Sequence, residues 1–231
     1  MKTARQEYNV VQALELAVFV DSAQGFIKSG YGYYDYENQK NIQDNKTTIF
    51  NYMTGVEPLP QIDDSVQARA AEIREFFRDS LVAKKLMGTL NKFEEGIMKA
   101  VGFEKTDSFG LSVIASLPNS FRVAAQRQAL NNWFDELRDK SEFVGKIGER
   151  RRFAALIKDV KFIAKFGIHL VTCVDDNDNI VKFFFSKEPD ICGLLENKSV
   201  ILTGKVKTHD ISKFSQCKET VINYVKVEEN S

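Results

Sequence analysis

Apolar residues in the first 144 positions recur mostly at three- and four-residue spacing. Beyond residue 145 they gather into short β-branched and aromatic runs broken by turn residues. Val10, Val11, Leu14 and Val18 share one face of a helix expected over residues 6–20. Val66, Ala70, Ile73, Phe77 and Leu81 make the clearest helical stripe, with Arg69, Glu72, Arg74 and Arg78 turned outward and Asp64 or Ser65 as its cap. Phe93, Ile97 and Val101 predict a shorter helix. Pro118, Asn119 and Ser120 open another that runs through Val123, Arg127, Leu130, Trp133 or Phe134, and Leu137. The later runs cover 153–163, 168–174, 180–185, 200–208 and 221–227, with turn signals at 175–179 and 210–216. Short strands in such succession predict a closed or partly closed barrel. The expected fold class is α+β: a mainly helical domain over 1–144, a five-stranded OB-like β-barrel over 145–227, and a short acidic tail over 228–231.

The stretch after the first helix carries Tyr31, Tyr33, Tyr34 and Tyr36 among glycines and polar residues. On an exposed hairpin these rings would stack on bases or meet a protein. The expectation here is the structural one, a half-buried strand pair, because aromatic residues report core packing first.

Charge changes where the periodicity changes. Residues 1–144 hold 17 Lys/Arg against 20 Asp/Glu, residues 145–226 hold 15 against 10, and the last five residues add two Glu. A formal net charge of zero thus conceals an acidic front, a basic barrel and an acidic tip, Glu228 and Glu229. The segment 146–165 is the most basic, with Arg150, Arg151 and Arg152 leading into Lys158, Lys161 and Lys165. By strand parity Arg152 and Lys158 share one face and Lys161 and Lys165 the other, so this charge does not form a single stripe.

Apolar content of 43% supplies a genuine core, and no apolar run approaches the ~18–20 residues that span a bilayer. The first ten residues lack the apolar stretch of a secretory signal, and three cysteines fit a reducing compartment, so a cytoplasmic protein is expected. No catalytic constellation stands out. Glu94 and Glu95 occupy adjacent helical positions and read as a solvated face. The run Asp175-Asp176-Asn177-Asp178-Asn179 resembles a calcium loop only until its sixth and twelfth positions, which are Ile180 and Ser186 instead of Gly and Glu; a hairpin turn fits better. Cys173, Cys192, Cys217 and His209 lack zinc spacing and read as ordinary residues of a barrel. Gly145 to Gly148 lacks the length and the terminal Lys-Ser/Thr of a phosphate-binding loop. The expectation is a protein that is not an enzyme and uses neither cofactor nor metal.

Three stretches bear a family resemblance. They are 141–153 with Gly145, Gly148 and Arg150; 166–186 with Asp175, Asn179 and Phe183; and 201–227 with Gly204, Val206, Lys207, His209 and Thr220. Together they resemble a C-terminal module of bacteriophage-encoded proteins of the single-stranded DNA-binding type, and 117–128 resembles the same proteins more weakly. The resemblance implies an OB-like barrel and a part in phage DNA replication or recombination. Two positions depart from its pattern: Asp178 stands where a Gly is usual, and Tyr224 where an Arg is common.

Residues and resemblance together predict a non-enzymatic single-stranded DNA-binding protein, with replication or recombination proteins as further partners and no membrane. Arg150, Arg151, Arg152, Lys158, Lys182, Lys205 and Lys207 are the expected phosphate contacts, and Phe183 or Phe184 and Tyr224 the expected base platforms. The alternative is a protein–protein adaptor acting on host replication or transcription machinery, with the acidic helical front as its working surface.

Overall fold

The computed structural model describes residues 6–228. Its chain divides into two compact units, residues 1–125 and 126–231. Helices α1 (Val10–Gln24), α2 (Asn45–Met53), α3 (Asp64–Leu86), α4 (Lys92–Gly102) and α5 (Ser108–Ile114) belong to the first, and α6 (Leu117–Leu137) contains the division. Strands β1 (Tyr8–Asn9) and β4 (Lys105–Thr106) pair with each other, as do β2 (Tyr33–Asp35) and β3 (Lys40–Ile42). Among the described residues no helix is long and apolar enough to cross a membrane.

The first unit is built around α1, whose Val10, Ala13, Leu14, Leu16, Ala17, Val18 and Val20 are all buried. The stripe predicted on α3 is present: Ala70, Ile73, Phe77 and Leu81 reach the same core, with Ile97, Ala100 and Val101 of α4 and Leu111 and Ile114 of α5. Each start is fixed by a side chain that satisfies otherwise orphaned amides. Asn9 accepts from Gln12, Asp44 from Thr47, and Asp63 from Val66; the α3 cap is thus one residue before the positions expected. Asn91 and Glu94 form a reciprocal capping box on α4.

The tyrosine stretch is a hairpin, as one reading of the sequence required, but it is not half-buried. Tyr31, Tyr33, Tyr34 and Tyr36 are all exposed. The reason lies at its base. Asp44 and Asn45 are buried polar residues that accept from the Gly30 and Ile27 amides, so the hairpin is tied down through backbone hydrogen bonds and needs no apolar face. Gly32 permits the close approach: a Cβ there would sit 2.8 Å from the Ile42 carbonyl oxygen.

The second unit is the barrel. β5 (Arg150–Ile163), β6 (Ile168–Asp175), β7 (Ile180–Phe185), β8 (Ser199–Ile211) and β9 (Lys218–Glu228) close in the order β5-β6-β7-β9-β8. Every pairing is antiparallel except β7 with β9. The five predicted runs and the five strands coincide, and the arrangement is consistent with an OB-like barrel. Alternation fills its interior with Phe153, Ala155, Ile157, Val171, Cys173, Val181, Phe183, Val200, Leu202, Val206 and Ile222, joined by Leu194 from the connection between β7 and β8.

Residues 126–144, placed with the helical domain by the 144/145 boundary drawn from the sequence, belong to the same compact unit as the barrel. Phe134 and Leu137 of α6 bury against Val174, Ile180 and Cys217. Downstream, Ser141 Oγ donates to the Lys218 carbonyl and accepts from the Ile180 amide, and the Val144 amide donates to the buried Thr220 hydroxyl. Gly145 and Gly148 then take positive φ of 71° and 90°, which lets the chain turn so that Gly148 and Glu149 hydrogen-bond with Val206 of β8 before β5 begins.

Candidate nucleic-acid interface

Three irregularities in the strand ladders decide what the outer surface of the barrel presents. In β5, Ile157 pairs with Cys173 and Asp159 with Thr172, leaving Lys158 as an extra residue. In β8, Val206 pairs with Ile222 and Thr208 with Val221, leaving Lys207 extra. In β9, Tyr224 and Val225 together oppose Gly204, because Thr203 pairs with Lys226 and Lys205 with Asn223. A bulge reverses strand parity and re-aims side chains. Beyond Lys158 the inward positions of β5 change from odd to even numbers, so Lys161 turns to the same outer face as Arg150 and Arg152. The split of charge between two faces inferred from the sequence is therefore corrected by one extra residue.

Two aromatic rings stand on that surface. Phe184 is 54% exposed and Tyr224 73% exposed. β7 and β9 run parallel through Ile180↔Glu219, Val181↔Thr220 and Lys182↔Val221; Phe184 follows two residues later and Tyr224 three. Both rings thus lie beyond the same end of the same seam. Tyr224 has φ of 50°, a left-handed conformation costly for a side chain with a Cβ, and it occupies a bulge where glycine is the usual solution. Gly204 opposite it leaves room for Ile222, whose Cδ1 would lie 2.8 Å from an added Cβ.

Cations flank the rings in register. On one side the cross-strand row is Lys161, Leu170, Phe184. On the other, Lys205 pairs with both Asn223 and Arg150, and Arg152 pairs with Thr203, which in turn pairs with Lys226. At the turn between β5 and β6, Lys165 lies over the exposed Phe166 ring at 5.4 Å, and exposed Phe162 leans on His169 at 5.0 Å. The connection between β7 and β8 lines a cavity of about 460 Å³ beside Phe162 and His169 with Glu188, Asp190 and Glu196. Those carboxylates give that end of the barrel an acidic rim, unlike the outer wall.

Several expected contacts are placed elsewhere. Phe183 is fully buried and meets Phe185 edge-on at 6.3 Å, because its parity points it into the barrel; of the two phenylalanines only Phe184 can serve as a platform. Lys182 is no free phosphate ligand. Its Nζ lies 2.6 Å from Glu219, with side chains 17% and 8% exposed, and also sits over the Phe134 ring at 5.3 Å. Lys158 is half-buried with its ammonium 5.8 Å from the Trp133 ring. Both corrections have one cause: the last turns of α6 cover the outer face of the barrel around Leu156 of β5, Val174 of β6 and Ile180 of β7. Arg150, Arg151, Lys205 and Lys207 are exposed as expected, and Arg152, though exposed, is engaged by Glu228. Lys226 and Phe166 were missed; an aromatic beside a turn glycine was the only available hint for Phe166.

The remaining polar residues explain structure. Asp175 Oδ1 accepts from the Asn177 and Asn179 amides, and Asp178 takes φ of 62°, the hairpin turn expected in place of a calcium loop. His209 stacks on Phe143 at 4.7 Å. Burial pushes the Cys173 thiol up to about 12, and the Cys217 thiol donates to the Phe134 carbonyl. Among the described residues no group of three or more His, Cys, Asp or Glu is placed to hold a metal ion. Residues that carry the phage-module resemblance, including Gly145, Asn179, Phe183, Gly204 and Thr220, are thus largely those that build the barrel and its entry segment. No family model, curated protein or solved structure matches this chain.

Proposed function

We propose that the chain binds single-stranded DNA along the outer wall of its barrel, with little sequence preference and no chemistry of its own. The observation that carries this reading is the pair of exposed rings, Phe184 and Tyr224, beyond one end of a parallel seam with Lys161 and Lys205 in register beside them. Rings stack on any base, and cations spaced along a strand's path neutralise phosphates; this combination is what sequence-tolerant single-strand binders use. A bulge that holds a tyrosine in a left-handed conformation supports the same reading, since backbone strain gathers at functional positions. Resemblance to the phage module adds the expectation of a role in DNA replication or recombination.

The adaptor reading has one observation in its favour, the exposed hairpin with Tyr31, Tyr33, Tyr34 and Tyr36. Tyrosines on a tethered hairpin of nearly balanced charge suit a protein surface better than a phosphate backbone. An anisotropy titration with a labelled thirty-nucleotide strand at low salt separates the two. Binding that survives replacement of Tyr33, Tyr34 and Tyr36 by Ser supports the barrel as the interface. Absence of binding by the wild-type chain hands the function to the adaptor.

A further inference from the structure

The best-organised polar contact on the cationic wall is made within the chain. Arg152 Nε donates to both carboxylate oxygens of Glu228, at 2.9 and 3.1 Å, and Nη2 donates to Oε2 at 2.7 Å. Thr203 Oγ1 adds a fourth hydrogen bond, to Oε1 at 3.2 Å. Glu228 lies two pairs further along, opposite Ile201, and reaches diagonally into this site. Its surroundings are otherwise cationic. The register places Arg150, Arg151, Arg152, Lys205 and Lys226 in adjoining pairs with Thr203, Gly204 and Asn223, and no acid among them. A guanidinium fork and a hydroxyl holding two oxygens of one anion is the arrangement by which proteins hold phosphate.

We propose that Arg152 and Thr203 form an oxyanion site for a backbone phosphate, and that Glu228, at the end of β9, occupies it as an internal competitor until a nucleic-acid strand displaces it. The inference rests on the single-strand reading and deepens it: the wall is self-masked at one phosphate position. Hydrogen bonds from Arg152 hold the Glu228 carboxyl below the usual carboxylate range, so the competitor is ionised at neutral pH. A masked site raises selectivity, because only a ligand that also engages the neighbouring cations and rings can repay the displacement.

The test is an anisotropy titration of the full chain with a thirty-nucleotide oligothymidylate. Wild type is compared with Glu228→Gln, Arg152→Ala, the double variant, and Asp210→Asn as a charge-matched control on the same barrel. Glu228→Gln is expected to tighten binding about three- to tenfold at about 50 mM salt, with the gain shrinking toward about 200 mM. In the Arg152→Ala background the same change should do no more than Asp210→Asn does. Glu228→Ala, read in the same way, removes the hydrogen-bonding group altogether and repeats the comparison. If wild type binds and neither Glu228 variant tightens it, or if the gain persists without Arg152, the mask is overturned while the single-strand reading stands. If wild type does not bind even at low salt, the single-strand reading and the mask fall together.

Discussion

Phe183 and Phe184 share a chemistry and a peptide bond, yet strand parity sends one into the barrel and the other into solvent. Truncating the buried ring leaves a cavity, so Phe183→Ala should cost roughly 3–5 kcal/mol in denaturant unfolding. Phe184→Ala should change stability by no more than ~0.5 kcal/mol and instead weaken strand binding by ~1–3 kcal/mol per base that stacks on it. A large stability loss at 184 would mean that the ring is part of the core. Thiol chemistry gives a second test. Burial raises Cys173 to about 12, and both Cys173 and Cys217 are inaccessible while Cys192 is partly exposed. Mass spectrometry after iodoacetamide treatment at pH 8 should therefore find one carboxamidomethyl group on the native protein and three after denaturation. Asp159 supplies the pH dependence. Burial pushes its carboxyl up, against the attraction of Lys161 and Lys182. A carboxyl raised in the folded state costs stability above its folded pKa, and that cost disappears below the unfolded value of about 3.9. Asp159→Asn should accordingly raise Tm at pH 7, and the gain should fade as pH drops toward 4.

At the scale of elements, periodicity made the strands and the long helices legible, because burial of one face imposes its period on the chain directly. It did not reveal α2, which buries only Asn45 and Ile49, or α5, whose seven residues are too few for a stripe to repeat. Bulges were invisible for a different reason. An extra residue is defined by the partner strand, so Lys158, Lys207 and Tyr224 look like ordinary strand residues until the ladders are paired. The same holds for contacts across long separations: Lys182 meets Glu219 only because β7 lies beside β9, and Arg152 meets Glu228 only because β5 and β9 both pair with β8. Parity therefore read the charge on β5 as divided, and the paired structure places Lys161 with Arg150 and Arg152. Tyr224 offers the element-scale prediction. Glycine tolerates φ of 50° without steric cost, so Tyr224→Gly should leave thermal stability unchanged or raise it by up to ~1 kcal/mol while weakening strand binding. Loss of stability together with binding would assign the ring a packing role.

On the scale of the whole molecule, a formal net charge of zero coexists with a barrel wall on which Arg150, Arg151, Arg152, Lys205 and Lys226 lie in adjoining pairs. Global charge averages over an acidic first 144 residues and says little about a strand lying within a Debye length of that wall. Part of the basic charge is also unavailable: Lys182 and Lys158 are committed to α6 and its neighbours, and Arg152 to Glu228. The cations left in register beside Phe184 and Tyr224 are few, chiefly Lys161, Arg150 and Lys205, so the account requires modest affinity with a shallow salt dependence. It also requires that charge and stacking be separable. The most direct measurement is the dependence of log K on log salt for a thirty-nucleotide strand, compared among wild type, Arg150→Ala/Lys205→Ala, and Phe184→Ala. Each phosphate contact contributes a slope of about −0.7, so the double replacement should flatten the line by about 1.4 units, whereas Phe184→Ala should lower the line and keep its slope. Identical slopes for wild type and the double variant, or no binding by wild type at low salt, would contradict the account.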